Sequence, residues 1–321
     1  MWLLVTIGGY LINAGVYTAD KFLLSKKIHS SISYAFFVGI WSIFNLALLP
    51  LAFWVPDMRQ LSIDLLAGML FLVALVAWYK ALHQSEATRV VPIVGALTPI
   101  FSLMLSYIFL NEFFTQQQML AFLILIAGGV LISVKETRMY VWRAVAERIK
   151  NIIGNLLGHI SAEYRPTRRL FFNSILSALC FASYYVLIKF IYIEQPFIGS
   201  FVWSRLGTFL GCIVILFVPS WKKLIAEHQK NARQPKNLAF FLAVRIVAAL
   251  AFIMLNWAIS LGSVAMVNAL QGVQFLFLII IVLIISSKYP HILKEELGRG
   301  VLAQKFIGVV LISIGLYMLI N

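Results

Sequence analysis

Charge is the scarcest thing in this chain. Asp, Glu, Lys and Arg supply only 12% of 321 residues, against about 25% in a soluble domain. So few charges leave no solvated surface for a sizeable water-soluble domain. Acid is scarcer than base, with 12 Asp and Glu beside 26 Lys and Arg. No carboxylate falls deep in an apolar run: Asp20, Asp64, Glu86, Glu112 and Glu194 all lie near run ends. A proton-driven carrier of cations needs such a group at mid-membrane, so cationic cargo is disfavoured. The five histidines (His29, His83, His159, His228, His291) are far apart in sequence. Neither a zinc-protease helix motif nor a phosphate-cradling glycine loop is present. No catalytic residue, metal or cofactor is expected, and a lipid-modifying membrane enzyme is the weakest reading. The two cysteines, Cys180 and Cys212, fall within apolar runs and read as small buried hydrophobes.

Apolar residues, in contrast, are abundant. They make up 62% of the chain, and the mean hydropathy is +0.93. Crossing a hydrocarbon core takes about 20 apolar residues per helix. Ten stretches qualify, near 2–19, 32–54, 64–84, 89–110, 117–134, 170–192, 197–219, 238–260, 264–286 and 301–320. The first begins without a basic leader or a convincing cleavage site and is read as an uncleaved span. Of the 26 Lys and Arg, 22 lie in or at the ends of the odd-numbered connections, and Arg59 alone lies in an even one. Cytoplasmic loops keep the excess of basic residues. The odd loops therefore face the cytoplasm and both termini face outside. The formal charge of +14 meets lipid headgroups, not nucleic acid. The expected class is an all-α integral membrane protein of ten transmembrane helices.

The chain repeats itself across its middle. Residues 1–134 and 170–321 each hold five spans, joined by a basic linker at 135–169. In the linker Trp142, Val145, Ile149, Ile152, Leu156 and Ile160 recur at three- and four-residue steps, the pattern of a helix lying on headgroups. "YTADKF" (Tyr17–Phe22) of span 1 matches "YVLIKF" (Tyr185–Phe190) of span 6. "ALHQSEA" after span 3 resembles "AISLGSVA" after span 8. Ala121 and Gly128 in span 5 are seven apart, as are Gly308 and Gly315 in span 10, placing small residues on one helix face. Five spans per half is an odd number, so the second half enters the membrane upside down. Such inverted repeats are a common transporter design.

These features resemble the drug/metabolite transporter superfamily, in its ten-span EamA-like branch. The resemblance is carried by Lys21 with its partner Lys189, by "YKALHQSEATRVVPIVGALTPIFSLMLSYIFLNEFFTQQQ" (Tyr79–Gln118), and by "GVLIS" (Gly129–Ser133) with "GVVLISIG" (Gly308–Gly315). It implies a carrier of small polar metabolites in the inner membrane, exporting or exchanging them by alternating access. A cavity lined by spans 1, 3, 4, 6, 8 and 9 is implied as well. A flippase of lipid-linked sugar is the alternative. The second half departs from the pattern: span 9 lacks counterparts of Pro92 and Pro99 and offers Asn268, Gln271, Gly272 and Gln274 instead.

Candidate site residues follow from depth and polarity. An ionisable group at a helix centre costs about 2.5–3.5 kcal/mol on insertion scales. Arg205 and Arg245 each lie about eight residues into a span, roughly 12 Å deep. Each suits a carboxylate or phosphate, or else a structural tie to helix carbonyls. Asn268, Gln271 and Gln274 share one face of span 9, facing either the pathway or another helix. Asn256 and Trp257 offer an amide and an aromatic wall. Tyr17, Tyr185 and Tyr79 complete the substrate-binding set. Lys21 and Lys189 are gating candidates, with snorkelling to headgroups as the plain alternative. Pro92 and Pro99 are expected to kink span 4. The expected partners are a small-molecule solute and membrane lipids. The orientation is testable. In intact cells an impermeant maleimide is expected to label Arg59→Cys, whereas Arg143→Cys reacts only after permeabilisation; the opposite pattern contradicts the topology.

Overall fold

The computed structural model describes residues 1–26, 30–51, 53–84, 87–133, 168–231, 235–288 and 299–320. The linker at 135–169 lies outside the described residues except for its last two, which begin the helix Arg168–Glu194. Among those described, every regular element is helical. The first half holds α1 (Trp2–Lys26), α2 (Ser31–Ile40), a 3-10 segment (Trp41–Leu51), α3 (Met58–Gln84), α4 (Ala87–Leu110) and α5 (Gln116–Ser133). The second half holds α6 (Arg168–Glu194), α7 (Phe197–Leu216), α8 (Pro219–Asn231), α9 (Pro235–Leu261), α10 (Val264–Ala269), α11 (Gln271–Lys288) and α12 (Arg299–Ile320). Among the described residues seven helices are long and apolar enough to cross a membrane, and three shorter apolar ones cover Gln116–Leu131, Val264–Leu278 and Gln304–Leu319. Seven full-length helices stand where ten spans were expected, and the three short ones coincide with expected spans 5, 9 and 10.

Local sequence sets the ends. Asp57 and Gln60 form a reciprocal cap at the start of α3, with bonds of 2.8 and 3.0 Å. Thr115 and Gln118 do the same for α5. Both are capping boxes, in which each side chain satisfies the other's free N–H. Asn111 takes a left-handed φ of 51° after α4, a conformation asparagine tolerates better than most residues. The Glu112 N–H then donates to the Ser106 carbonyl at 3.3 Å, closing the helix. Span 9 is split rather than continuous: α10 ends at Ala269, Leu270 caps it and α11 starts at Gln271. Span 4, by contrast, runs as one helix through Pro92 and Pro99. The connection after α7 contains a helix that the sequence reading passed over. In this α8, Ile225 is buried and Lys80 sits 5.8 Å over the Trp221 ring.

The bundle exposes apolar side chains and buries several polar ones within its apolar core. Leu4, Phe172, Ile246 and Phe306 are exposed, while Thr6, Ser102, Ser174, Ser204, Thr208 and Asn256 are buried. In lipid the apolar exterior costs nothing, and small hydroxyl residues let backbones approach. The helices α3 and α6 pack together, as do α5 and α12, α3 and α7, α1 and α9, and α4 and α6. The α3–α7 crossing is the tightest. A Cβ at Gly68 would strike the Ser204 carbonyl oxygen, and one at Gly207 the Leu65 carbonyl oxygen. The small-residue faces of α5 and α12 also meet: a Cβ at Gly128 would lie 2.9 Å from the Gly308 oxygen, and one at Gly315 3.3 Å from the Ala121 oxygen. Gly68→Val is expected to cost about 1–3 kcal/mol and lower the thermal midpoint in detergent. Gly15→Ala, with nothing within 4 Å of its added carbon, serves as the control and leaves the midpoint in place.

Candidate functional site

Helical spacing assembles a polar centre inside this bundle. Phe201 and Arg205 stand one turn apart on α7, Phe252 and Asn256 one turn apart on α9, and Tyr184 and Tyr192 two turns apart on α6. Residues at these intervals share a face. Arg205 is 4% exposed. Its guanidinium carbon lies 4.4 Å from the Phe71 ring centroid and 4.5 Å from that of Phe252, with Tyr184 at 5.4 Å and Phe201 at 5.8 Å. Nη2 donates to the Tyr184 hydroxyl at 2.9 Å, and Nε is buried without a hydrogen-bond partner. The Tyr184 hydroxyl donates onward to Asn256 Oδ1 at 3.1 Å, and Tyr192 donates to the same oxygen at 3.1 Å. Asn256 in turn donates to the Phe252 carbonyl at 2.9 Å. A guanidinium, two phenols and an amide thus form one relay across α6, α7 and α9.

A second polar face comes from α1, where Tyr10, Asn13 and Tyr17 recur at three and four residues. Tyr10 donates to the Val267 carbonyl at 2.9 Å, and Asn13 Nδ2 donates to Gln274 Oε1 at 3.0 Å. Gln274 is 1% exposed, and its Nε2 is buried without a hydrogen-bond partner. Tyr185 stacks on Phe181 at 6.3 Å and tilts against Tyr184 at 5.2 Å.

Arg205 and Asn256 are therefore joined through Tyr184, Gln274 is joined to α1 through Asn13, and Tyr17 and Tyr185 pack against the buried cluster that holds Tyr184. Other sequence candidates fall elsewhere. Asn268 Nδ2 donates to Ser102 Oγ at 2.8 Å, a tie between α10 and α4. Gln271 begins α11, its Oε1 3.9 Å from where a Cβ on Gly95 would stand. Arg245 lies 6.0 Å over Tyr34, whose ring meets Tyr79 edge-on at 4.8 Å. Trp257 is 38% exposed, so it looks outward where an aromatic wall was expected. Lys189 donates to the Ser260 carbonyl at 3.1 Å. Nearby, Ser263 donates to Glu112 at 2.9 Å, joining the two halves. Pro99 is buried in α4. The side chains of Lys21 and Pro92 lie outside the described residues.

Sequence reasoning missed Tyr184, Tyr192, Tyr10 and Asn13, although their spacing against Arg205 and Gln274 was available. It also placed Asp64 among end-located carboxylates. The structure buries Asp64 fully. With its amide nitrogen turned inward, Gln195 donates to both carboxylate oxygens at 3.1 Å.

The comparisons can now be set beside this geometry. Residues 2–134 match the model of the EamA-like transporter family. A stretch of 80 residues, 25% of the chain, is 29% identical to an uncharacterized protein of Methanocaldococcus jannaschii; the match spans 58% of that protein's length. A protein known from a crystal structure superposes over 99% of this chain and 97% of its own, with a TM-score of 0.62 and 14% identity. It shares the fold. The first half is thus similar to a transporter family, and the fold of the whole chain has a solved counterpart.

The relay makes its own prediction. Asn256→Ala leaves two buried hydroxyls without their acceptor, which costs about 1–3 kcal/mol. Tyr192→Phe removes one donor and leaves Asn256 bonded to Tyr184, so its melting temperature in detergent is expected to fall less. Equal falls contradict the shared-acceptor geometry.

Proposed function

We propose that the chain carries small polar metabolites across the inner membrane, exporting or exchanging them by alternating access. Ten spans form two inverted five-helix repeats, with both termini outside. The observation that carries this reading is the burial of two hydrogen-bonded polar sets, Arg205–Tyr184–Asn256 and Asn13–Gln274, in the interior of apolar helices. Buried polar groups in lipid are costly, and intramembrane ones face a partner or a pathway. Here one guanidinium nitrogen and one amide nitrogen are buried with no partner, as expected of a site whose remaining partner is a solute.

Part of the packing supports inverted repeats, although the α3–α7 crossing has no counterpart of comparable extent between α9 and α2. A two-fold axis relating spans 1–5 to spans 6–10 exchanges the pair α3–α6 with α9–α1, and the pair α4–α6 with α11–α1. All four contacts occur. The same axis maps α5–α12 onto itself, and those helices pack face to face. The broken span 9 lies beside the polar centre, where discontinuous helices of transporters place their ligand contacts. The EamA-like match over the first half agrees with a carrier.

A metabolite library screened by thermal shift, followed by flux of each stabilising solute in proteoliposomes, tests the reading. Gln274→Leu is expected to cut flux about tenfold, the loss of one buried hydrogen bond of about 1.4 kcal/mol, with insertion unchanged. Full flux in that variant contradicts the role of Gln274. No flux of any stabilising solute through the wild-type protein contradicts the carrier.

A further inference from the structure

The environment of Arg205 narrows the solute, on the reading that this centre is a transport site. We propose that it takes a singly charged organic anion, a carboxylate on an apolar or aromatic body, with Arg205 as its counter-charge. Three observations converge. The first is charge. The contacts of Arg205 among the described residues are a phenol and four aromatic rings, all neutral. The buried carboxylate of Asp64 is already held by Gln195. A buried cation with no anion beside it is completed by one negative charge.

The second is geometry. Phe71 and Phe252, both within 4.5 Å of the guanidinium carbon, leave the edge of the fork for hydrogen bonding. Along that edge Nη2 is held by Tyr184, and Nε is buried without a partner. An Nε with an Nη is the paired donor set that a carboxylate accepts. The third is that, among the described residues, no second cation contacts the Arg205 set. Arg245 stands over Tyr34, and Lys189 is tied to the Ser260 carbonyl. A phosphate monoester, carrying about two charges at neutral pH, would enter with one charge uncompensated. A zwitterion would bring an ammonium that no free carboxylate among the described residues contacting Arg205 receives. The ring-rich surroundings of Phe71, Phe181, Tyr185, Phe201 and Phe252 favour an apolar body behind the carboxylate.

Purified full-length protein tests this with four probes of similar size: benzoate, benzamide, phenyl phosphate and phenylalanine. Benzoate is expected to raise the melting temperature and to be carried into proteoliposomes, whereas the other three shift it little. Arg205→Met is expected to weaken benzoate binding roughly ten- to hundredfold, the range of a charge-assisted hydrogen bond. Should that variant fail to fold, Arg205→Lys replaces it: charge is kept and the fork is lost, so benzoate binding falls less but measurably. The substrate class is overturned if benzoate gives no shift, if benzamide matches it, if phenyl phosphate or phenylalanine exceeds it, or if neither variant weakens it. In each case flux of another solute through the wild-type protein leaves the carrier reading standing. Absence of flux for all solutes removes both.

Discussion

A guanidinium shut inside an apolar bundle must find compensation, and the arrangement around Arg205 follows from that requirement. Inserting such a group at a helix centre costs about 2.5–3.5 kcal/mol. A desolvated cation over an aromatic face recovers about 2 kcal/mol. Two close rings, Phe71 and Phe252, therefore suffice to offset the insertion cost without an acidic partner. Had the compensation come from a carboxylate, the charge would have been consumed within the protein. Rings hold the cation in place and leave its hydrogen-bonding edge for something else.

The second requirement is that every polar group near that cation be satisfied in the same low-dielectric space. Asn256 meets it by accepting from two tyrosines on α6 and donating within α9. This fixes the rotation of both helices relative to α7. Glycine-lined crossings supply the remaining constraint. The contacts of Gly68 and Gly207 bring α3 against α7, which carries Phe71 to the guanidinium. The site is thus a product of backbone approach on one side and a hydrogen-bonded relay on the other.

The sequence made legible the features that arise from solvent. Long apolar runs marked the helices, and the depth of Arg205 marked it as unusual. The small residues Ala121, Gly128, Gly308 and Gly315 were legible too, because a face of small side chains in lipid has few purposes besides helix contact. Less legible was anything fixed by which helices become neighbours. The repeat match drew attention to Tyr185, while the residue bonded to Arg205 is Tyr184; adjacent residues on a helix differ by about 100°, and only packing decides which points inward. Asp64 lies near the end of its span by count yet is fully buried, because the junction at Gln195 folds over it. Asn268 belongs to a polar stripe with Gln271 and Gln274, but the break at Leu270 separates them, and Asn268 turns to Ser102.

Alternating access requires that the Arg205–Tyr184–Tyr185 region be reached from each side of the membrane in turn. It is tested most directly by placing a single cysteine at Tyr185 in a protein with Cys180 and Cys212 changed to alanine. Reactivity toward an impermeant maleimide is then measured in right-side-out and inside-out vesicles. The account predicts modification from both faces, slowed by a transported solute. Modification from neither face, with the protein inserted and folded, contradicts it.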